Sequence, residues 1–101
     1  MPAFRNKFRT GELAGVTSAT QNPSVSCKLV KFIAALDNVG IVWIGGPGVT
    51  VGDGNTDTTT GFPVDAGYET PWIPVDNVDQ TYRICDNLGD ECYYMVVGGG
   101  A

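Results

Sequence analysis

Residues 36–75, LDNVGIVWIGGPGVTVGDGNTDTTTGFPVDAGYETPWIPV, decide the fold class. Short runs of Val, Ile and aromatic residues alternate there with Gly, Pro, Asp or Asn at every break. β-Branched and aromatic side chains suit the pleated surface of a strand, whereas Gly, Pro and Asx supply the backbone angles and local hydrogen bonds of tight turns. The stretch therefore predicts an all-β domain of short strands.

Working upstream, residues 26–36 (SCKLVKFIAAL) predict a strand with Cys27, Leu29, Ile33 and Ala35 on one side, interrupted by Lys31. Residues 37–40 (DNVG) predict a hairpin loop that returns the chain antiparallel through 40–44, with Trp43 in the core between Val42 and Ile44. Downstream, 49–51 predict a further short strand and 52–61 a polar loop. The two prolines of 69–75 place that segment at a sheet edge. Residues 81–85 and 92–97 predict a closing hairpin around DNLGDE. The expected architecture is a small antiparallel β-sandwich or barrel of six to seven short strands, because a single sheet of this size would leave one apolar face wet. Residues 1–24 lack sustained periodicity and are expected to form an extended docking arm, followed by the domain at 25–97 and a flexible glycine tail at 98–101.

The chain has 101 residues, enough for one core, and a net charge of −5. The charge is divided. In residues 1–24, Arg5, Lys7 and Arg9 outweigh Glu12 to leave +2, while the remainder carries −7. An acidic body argues against coating a nucleic acid, which demands a basic footprint. No apolar run approaches the roughly eighteen residues of a spanning helix, and the start MPAFRNKFRT has no apolar signal-peptide core. Synthesis and folding in the cytoplasm, with no membrane partner, are expected.

The motifs that invite chemistry fall short of it. The 45–48 run GGPG lacks the Lys-Ser/Thr ending and following helix of a phosphate loop, so a turn is expected. Asp53, Asn55 and Asp57 open like a calcium loop, but Thr58 stands where its glycine belongs and Val64 where its bidentate Glu belongs. There is no histidine, which removes the commonest general base and the Ser–His and Cys–His nucleophile pairs. Asp76, Asp79, Asp86, Asp90 and Glu91 lie in Asx-rich turns, where capping and solvation explain them without chemistry. Three cysteines and no histidine do not complete a structural zinc site, and in a reducing compartment buried thiols are the default, although Cys85 and Cys92 could face one another across the expected hairpin. No catalytic residue, metal or cofactor is expected. Of the aromatic residues, adjacent Tyr93 and Tyr94 must point to opposite faces of a strand, and Trp72 lies on the expected edge segment, so these are candidate interface residues.

Asp37-Asn38, Gly40 to Gly46, Gly48-Val49-Thr50, Gly61 to Gly67 and Ile73 to Val78 together resemble small virion proteins of tailed bacteriophages, whose pattern is roughly N-x-G-x-V-x-VGG-x-GV, then G-x-P-L-x-AGE, then PVDNL. The likeness covers 25–97. This chain departs from the pattern in the inserted loop GDGNTDTTTG and in Glu69, which follows Gly67 by two residues. The resemblance implies a capsid decoration (cement) protein on the outer surface of the head, bound to the major capsid protein and stabilising its lattice. A receptor- or glycan-binding module of a head fibre or tail is the alternative. The arm residues Phe4, Arg5, Lys7, Phe8 and Arg9 are expected to anchor it to the capsid, and Trp72, Tyr93 and Tyr94 to serve subunit contacts, with self-association on the lattice as a trimer.

Overall fold

The computed structural model describes residues 8–99. Two four-stranded antiparallel sheets are formed by β1 (Phe8–Leu13), β2 (Thr20–Gln21), β3 (Leu29–Ala34), β4 (Val42–Gly45), β5 (Phe62–Val64), β6 (Ile73–Pro74), β7 (Tyr82–Cys85) and β8 (Cys92–Val97). One sheet has the order β1-β8-β3-β6 and is called here the β8 sheet; the other, β2-β7-β4-β5, is the β7 sheet. A single 3-10 turn, Val78–Gln80, precedes β7. The all-β expectation holds, in the form of a small sandwich.

Period-two alternation builds the core. Leu13, Val30, Phe32, Ala34, Cys92 and Val96 face inward from one sheet, and Val42, Ile44, Val64 and Cys85 from the other. The inward side of β3 is thus Val30, Phe32 and Ala34, the reverse of the expected face. Lys31 decides it: a lysine in the sandwich interior would have to be desolvated, whereas outside it pairs with Glu69 at 2.6 Å. The same alternation corrects Trp43. With Val42 and Ile44 inside, its indole lies outside and donates to Asp86 Oδ1 at 3.0 Å.

The connections differ from the expected hairpins. All but the one from β4 to β5 carry the chain from one sheet to the other. Residues 37–40 and 86–91 are therefore arches over the end of the sandwich, clamped together by Asp90 and by Asn38, whose amide exchanges hydrogen bonds with the Glu91 backbone. Buried Asp90 accepts the N–H groups of Val39 (2.9 Å) and Gly40 (3.2 Å) on Oδ1, and the backbone and amide N–H of Asn87 (both 3.1 Å) on Oδ2. A Cβ on Gly40 would stand 2.8 Å from that carboxylate, which explains the glycine. Residues 49–51 form no strand: Val49 is buried and Thr50 bridges Thr60. The Pro74 to Val78 segment is a structural cap. Asn77 Oδ1 accepts the N–H of Val25 and of Asp79, while Gln80 Oε1 accepts those of Asp76 and Asn77.

The expected arm is also corrected. Residues 1–7 lie outside the described residues, but 8–24 belong to the domain. β1 pairs with β8 along its whole length and β2 with β7. The pattern was hard to read because two of the three inward positions of β1 are Arg9 and Gly11. Arg9 closes the end of the core by donating to the carbonyls of Ser26 and Gly98. Gly11 makes room for the Tyr94 ring, from which a Cβ there would be 2.4 Å away. Asn22 is buried, linked to Thr81 Oγ1 and to Arg83 Nη1. Of the expected glycine tail, Gly98 and Gly99 are docked: both have positive φ, and a Cβ on Gly99 would meet Ser26 O at 2.5 Å.

Cys27, Cys85 and Cys92 are buried free thiols, with Cys85 and Cys92 in opposite sheets rather than across a hairpin. Burial pushes all three thiols up, Cys92 to about 12 against the opposing field of Arg83. Because the thiolate is the reactive species, the folded chain should resist thiol alkylation at pH 8 and take up three equivalents of reagent only when unfolded. Rapid labelling in the absence of denaturant would contradict this packing.

Candidate interaction surface

The two outer faces of the sandwich are finished differently. Over the β7 sheet, the 46–61 connection passes above Trp43, so closely that a Cβ on Gly52 would lie 2.6 Å from the indole. The β8 sheet has an apolar outer face that remains accessible.

Register assembles that face row by row. Phe8 of β1 pairs with Val97 of β8, Val97 with Leu29 of β3, and Leu29 with Pro74 of β6, an apolar row across all four strands. Two residues along, Thr10, Met95 and Lys31 form the second row, and Lys31 Nζ stands 4.8 Å from the centroid of the Trp72 ring. Glu12, Tyr93, Ile33 and Glu69 form the third. Phe8, Trp72 and Tyr93 are 59%, 38% and 40% exposed. The sheet itself fixes their spacing, so the platform is held rigidly.

Three of the sequence-predicted interface residues, Phe8, Trp72 and Tyr93, thus meet on one face. The others do not join them. Tyr94 points inward between Gly11 and Phe32 and packs against the core. Arg9 is engaged with backbone carbonyls at the end of the core. Phe4, Arg5 and Lys7 lie outside the described residues. Ile33, Met95, Leu29 and Val97 belong to the face but were missed, because assigning Leu29 and Ile33 to the core concealed the outer row.

Charge is distributed unevenly around the platform. Lys31 sits between Glu69 and Trp72, so its charge is locally met. Beside Tyr93 the sign is uniformly negative. Glu12, with burial and Asp37 adding to it, raises the Glu91 carboxyl above its ordinary range, and Glu12, then burial, Glu91 and Asp37 raise the Tyr93 hydroxyl. Shallow apolar depressions flank Tyr93, one bounded by Glu12 and Met95 and the other by Leu36 and Asp37.

A cleft of about 400 Å³ also opens at the seam between β6 and the β4–β5 edge, lined by Ile44, Phe62, Pro71, Ile73 and Val75. Its hydroxyls are already used within the fold. Thr70 Oγ1 accepts from Phe32 N and donates to Pro71 O, and Thr81 Oγ1 accepts from Asn22 and donates to Val78 O. Among the described residues no group of three or more Cys, Asp or Glu side chains is arranged to hold a metal ion. The buried cation Arg83 is spent on Ala14 O and Asn22 Oδ1. No family model, curated protein or solved structure matches the chain.

Proposed function

We propose that this chain is a decoration protein of a tailed-bacteriophage head, docking through the outer face of its β8 sheet and stabilising the major capsid protein lattice. The observation that carries the reading is the accessible apolar platform of Phe8, Trp72 and Tyr93 on a small acidic sandwich, added to the resemblance of residues 25–97 to such virion proteins. A rigid face that buries aromatic anchors loses little conformational entropy on docking. A protein that binds only the assembled lattice stabilises it by mass action, and modest contacts repeated over the shell add up.

The test is a count and a melt. Purified particles should contain hundreds of copies of the chain, as expected for a protein repeated over the shell. Heads lacking it should assemble yet release DNA at lower temperature than complete heads. A dozen copies or fewer per particle, or identical melting of the two kinds of head, would overturn the reading.

Exposed Trp72, which shares Lys31 with Glu69, supports a second reading, a glycan-binding module in which the indole stacks on a sugar and the carboxylate accepts from its hydroxyls. That reading predicts quenching of Trp72 fluorescence by soluble saccharide and particles that melt normally without the protein but fail to adsorb to cells.

A further inference from the structure

Leu36, Val39 and Leu88 are 87%, 91% and 71% exposed, and all three stand at one end of the sandwich. Val39 and Leu88 lie on the arches 37–40 and 86–91, and Leu36 lies at the root of the first. Single exposed apolar residues are ordinary, but three together at one end call for a reason. Backbone demand does not supply it, because the bonding positions of the arches are filled by polar residues. Asn38 exchanges hydrogen bonds with the Glu91 backbone at 2.7 and 2.8 Å, Asp90 receives the N–H groups of Val39 and Gly40, and Asp86 Oδ2 accepts that of Ile41 at 2.9 Å. The apolar side chains project from a backbone that these bonds hold in place, so ordering them against a partner costs little entropy.

The charge around these tips selects the partner. Asp37 and Asp86 are exposed on the arches themselves. Glu12 and Glu91 join them, since β1 and β8 meet at this end through the Leu13–Cys92 pair. The described cations are elsewhere or occupied. Arg9 and Lys28 lie at the opposite end, beside Gly98, and Lys31 pairs with Glu69. Arg83 is buried and bonded to Ala14 O and Asn22 Oδ1. The end is thus apolar at its tips and negative around them. The arch end of a second copy, an anionic lipid surface or a nucleic acid would each be repelled. An apolar protein surface bearing Lys or Arg complements both features.

We propose that the arch end is a second docking surface, which packs Leu36, Val39 and Leu88 against an apolar, basic surface of a partner protein while the carboxylates of Asp37, Asp86, Glu12 and Glu91 meet its Lys and Arg side chains. Burial of the three apolar side chains supplies the affinity, and the carboxylates orient and speed the encounter. The surface adjoins the β8-sheet platform only beside Tyr93, where Leu36 and Asp37 bound a shallow depression. It does not depend on what the platform binds.

The test uses the full chain and, as probe, a fluorescein-labelled amphipathic peptide of leucine and lysine, followed by anisotropy at about 0.1 M salt, where charges farther apart than about 10 Å are largely screened. The wild type should bind this peptide saturably, and should bind an equally charged peptide of glycine and lysine about tenfold more weakly, because the latter has no apolar face. The double variant Leu36→Ser, Leu88→Ser alters exposed positions and should melt like the wild type, yet bind the leucine–lysine peptide about tenfold more weakly. Asp37→Lys should weaken that binding about fivefold, whereas Asp57→Lys, the same change of charge in the 46–61 connection, and Trp72→Ala, on the platform, should leave it unchanged. No binding of the leucine–lysine peptide, undiminished binding by the leucine variant, or equal weakening by Asp37→Lys and Asp57→Lys would overturn the proposal. So would uptake of the wild type by neutral phosphatidylcholine vesicles, or self-association of the wild type, if the leucine variant abolished it, since the tips would then belong to a membrane or to a second copy.

Discussion

Replacing Asp90 by alanine should destabilise the domain by about 3 kcal/mol, lowering the melting temperature by on the order of 15 °C. The carboxylate is 1% exposed and holds four N–H groups across two arches that Asn38, through its amide hydrogen bonds with the Glu91 backbone, also joins. Removing it leaves those donors unmet and leaves Asn38 and Asp86 as the side chains that join the connection between β3 and β4 to that between β7 and β8. Asp90→Asn should cost less, since one amide oxygen still accepts, but its NH2 faces donors. Burial raises the Asp90 carboxyl, yet the hydrogen bonds from Gly40, Val39 and Asn87 outweigh it and hold the group below the ordinary aspartate range. Its folded affinity for protons is thus weaker than its unfolded one. The stabilisation is complete above the unfolded value, near 4, and is lost as pH falls through the depressed folded value. Wild type should therefore lose stability on acidification below about pH 4, and Asp90→Asn should show a flatter acid limb. Parallel acid limbs in the two proteins would contradict the clamp.

Phe32→Ala should have the largest effect of any single truncation, about 3–5 kcal/mol. Phe32 is fully buried within the six-pair ladder of β3 with β8, and its ring fills the space between the sheets. A domain of this size has total stability of about 5–15 kcal/mol, so the variant should be partly unfolded at 37 °C. Denaturant unfolding should show the shift in midpoint with little change in slope. A loss below 1 kcal/mol would mean that the sheets close over the cavity and that the core is set elsewhere.

These two side chains show what was legible in the sequence and what was not. Phe32 lies in an apolar run whose strand character is plain, but the run is apolar on both faces. Leu29, Lys31 and Ile33 compete with Val30, Phe32 and Ala34 for the interior, and only the lysine breaks the tie. The ambiguity has a structural cause: the outer row is itself an apolar platform, and a strand that serves two apolar faces gives no clean alternation. Asp90 has the sequence setting of a solvated turn acid because hairpin loops and inter-sheet arches use the same Asp, Asn and Gly residues. What separates them is which sheet the next strand joins, a long-range property absent from the local pattern. Arg9 and Gly11 concealed β1 for a related reason. Their roles, satisfying Ser26 and Gly98 carbonyls and admitting Tyr94, arise only when residues more than fifteen positions away arrive. The outward placement of Tyr93, in contrast, follows from alternation once Cys92 and Val96 are inside.

The central claim is that the outer face of the β8 sheet is the surface that meets the capsid. Trp72 and Tyr93 contribute little to the core, and the Lys31–Trp72 contact is worth about 0.5–1 kcal/mol at an exposed site. Under the proposed capsid-decoration role, the most direct measurement is cosedimentation of the full chain with undecorated phage heads, comparing wild type with Trp72→Ala and Tyr93→Ser. Both variants should melt within a few degrees of wild type and yet bind the heads at least tenfold more weakly. Binding at full strength by both variants, with folding intact, would contradict the account.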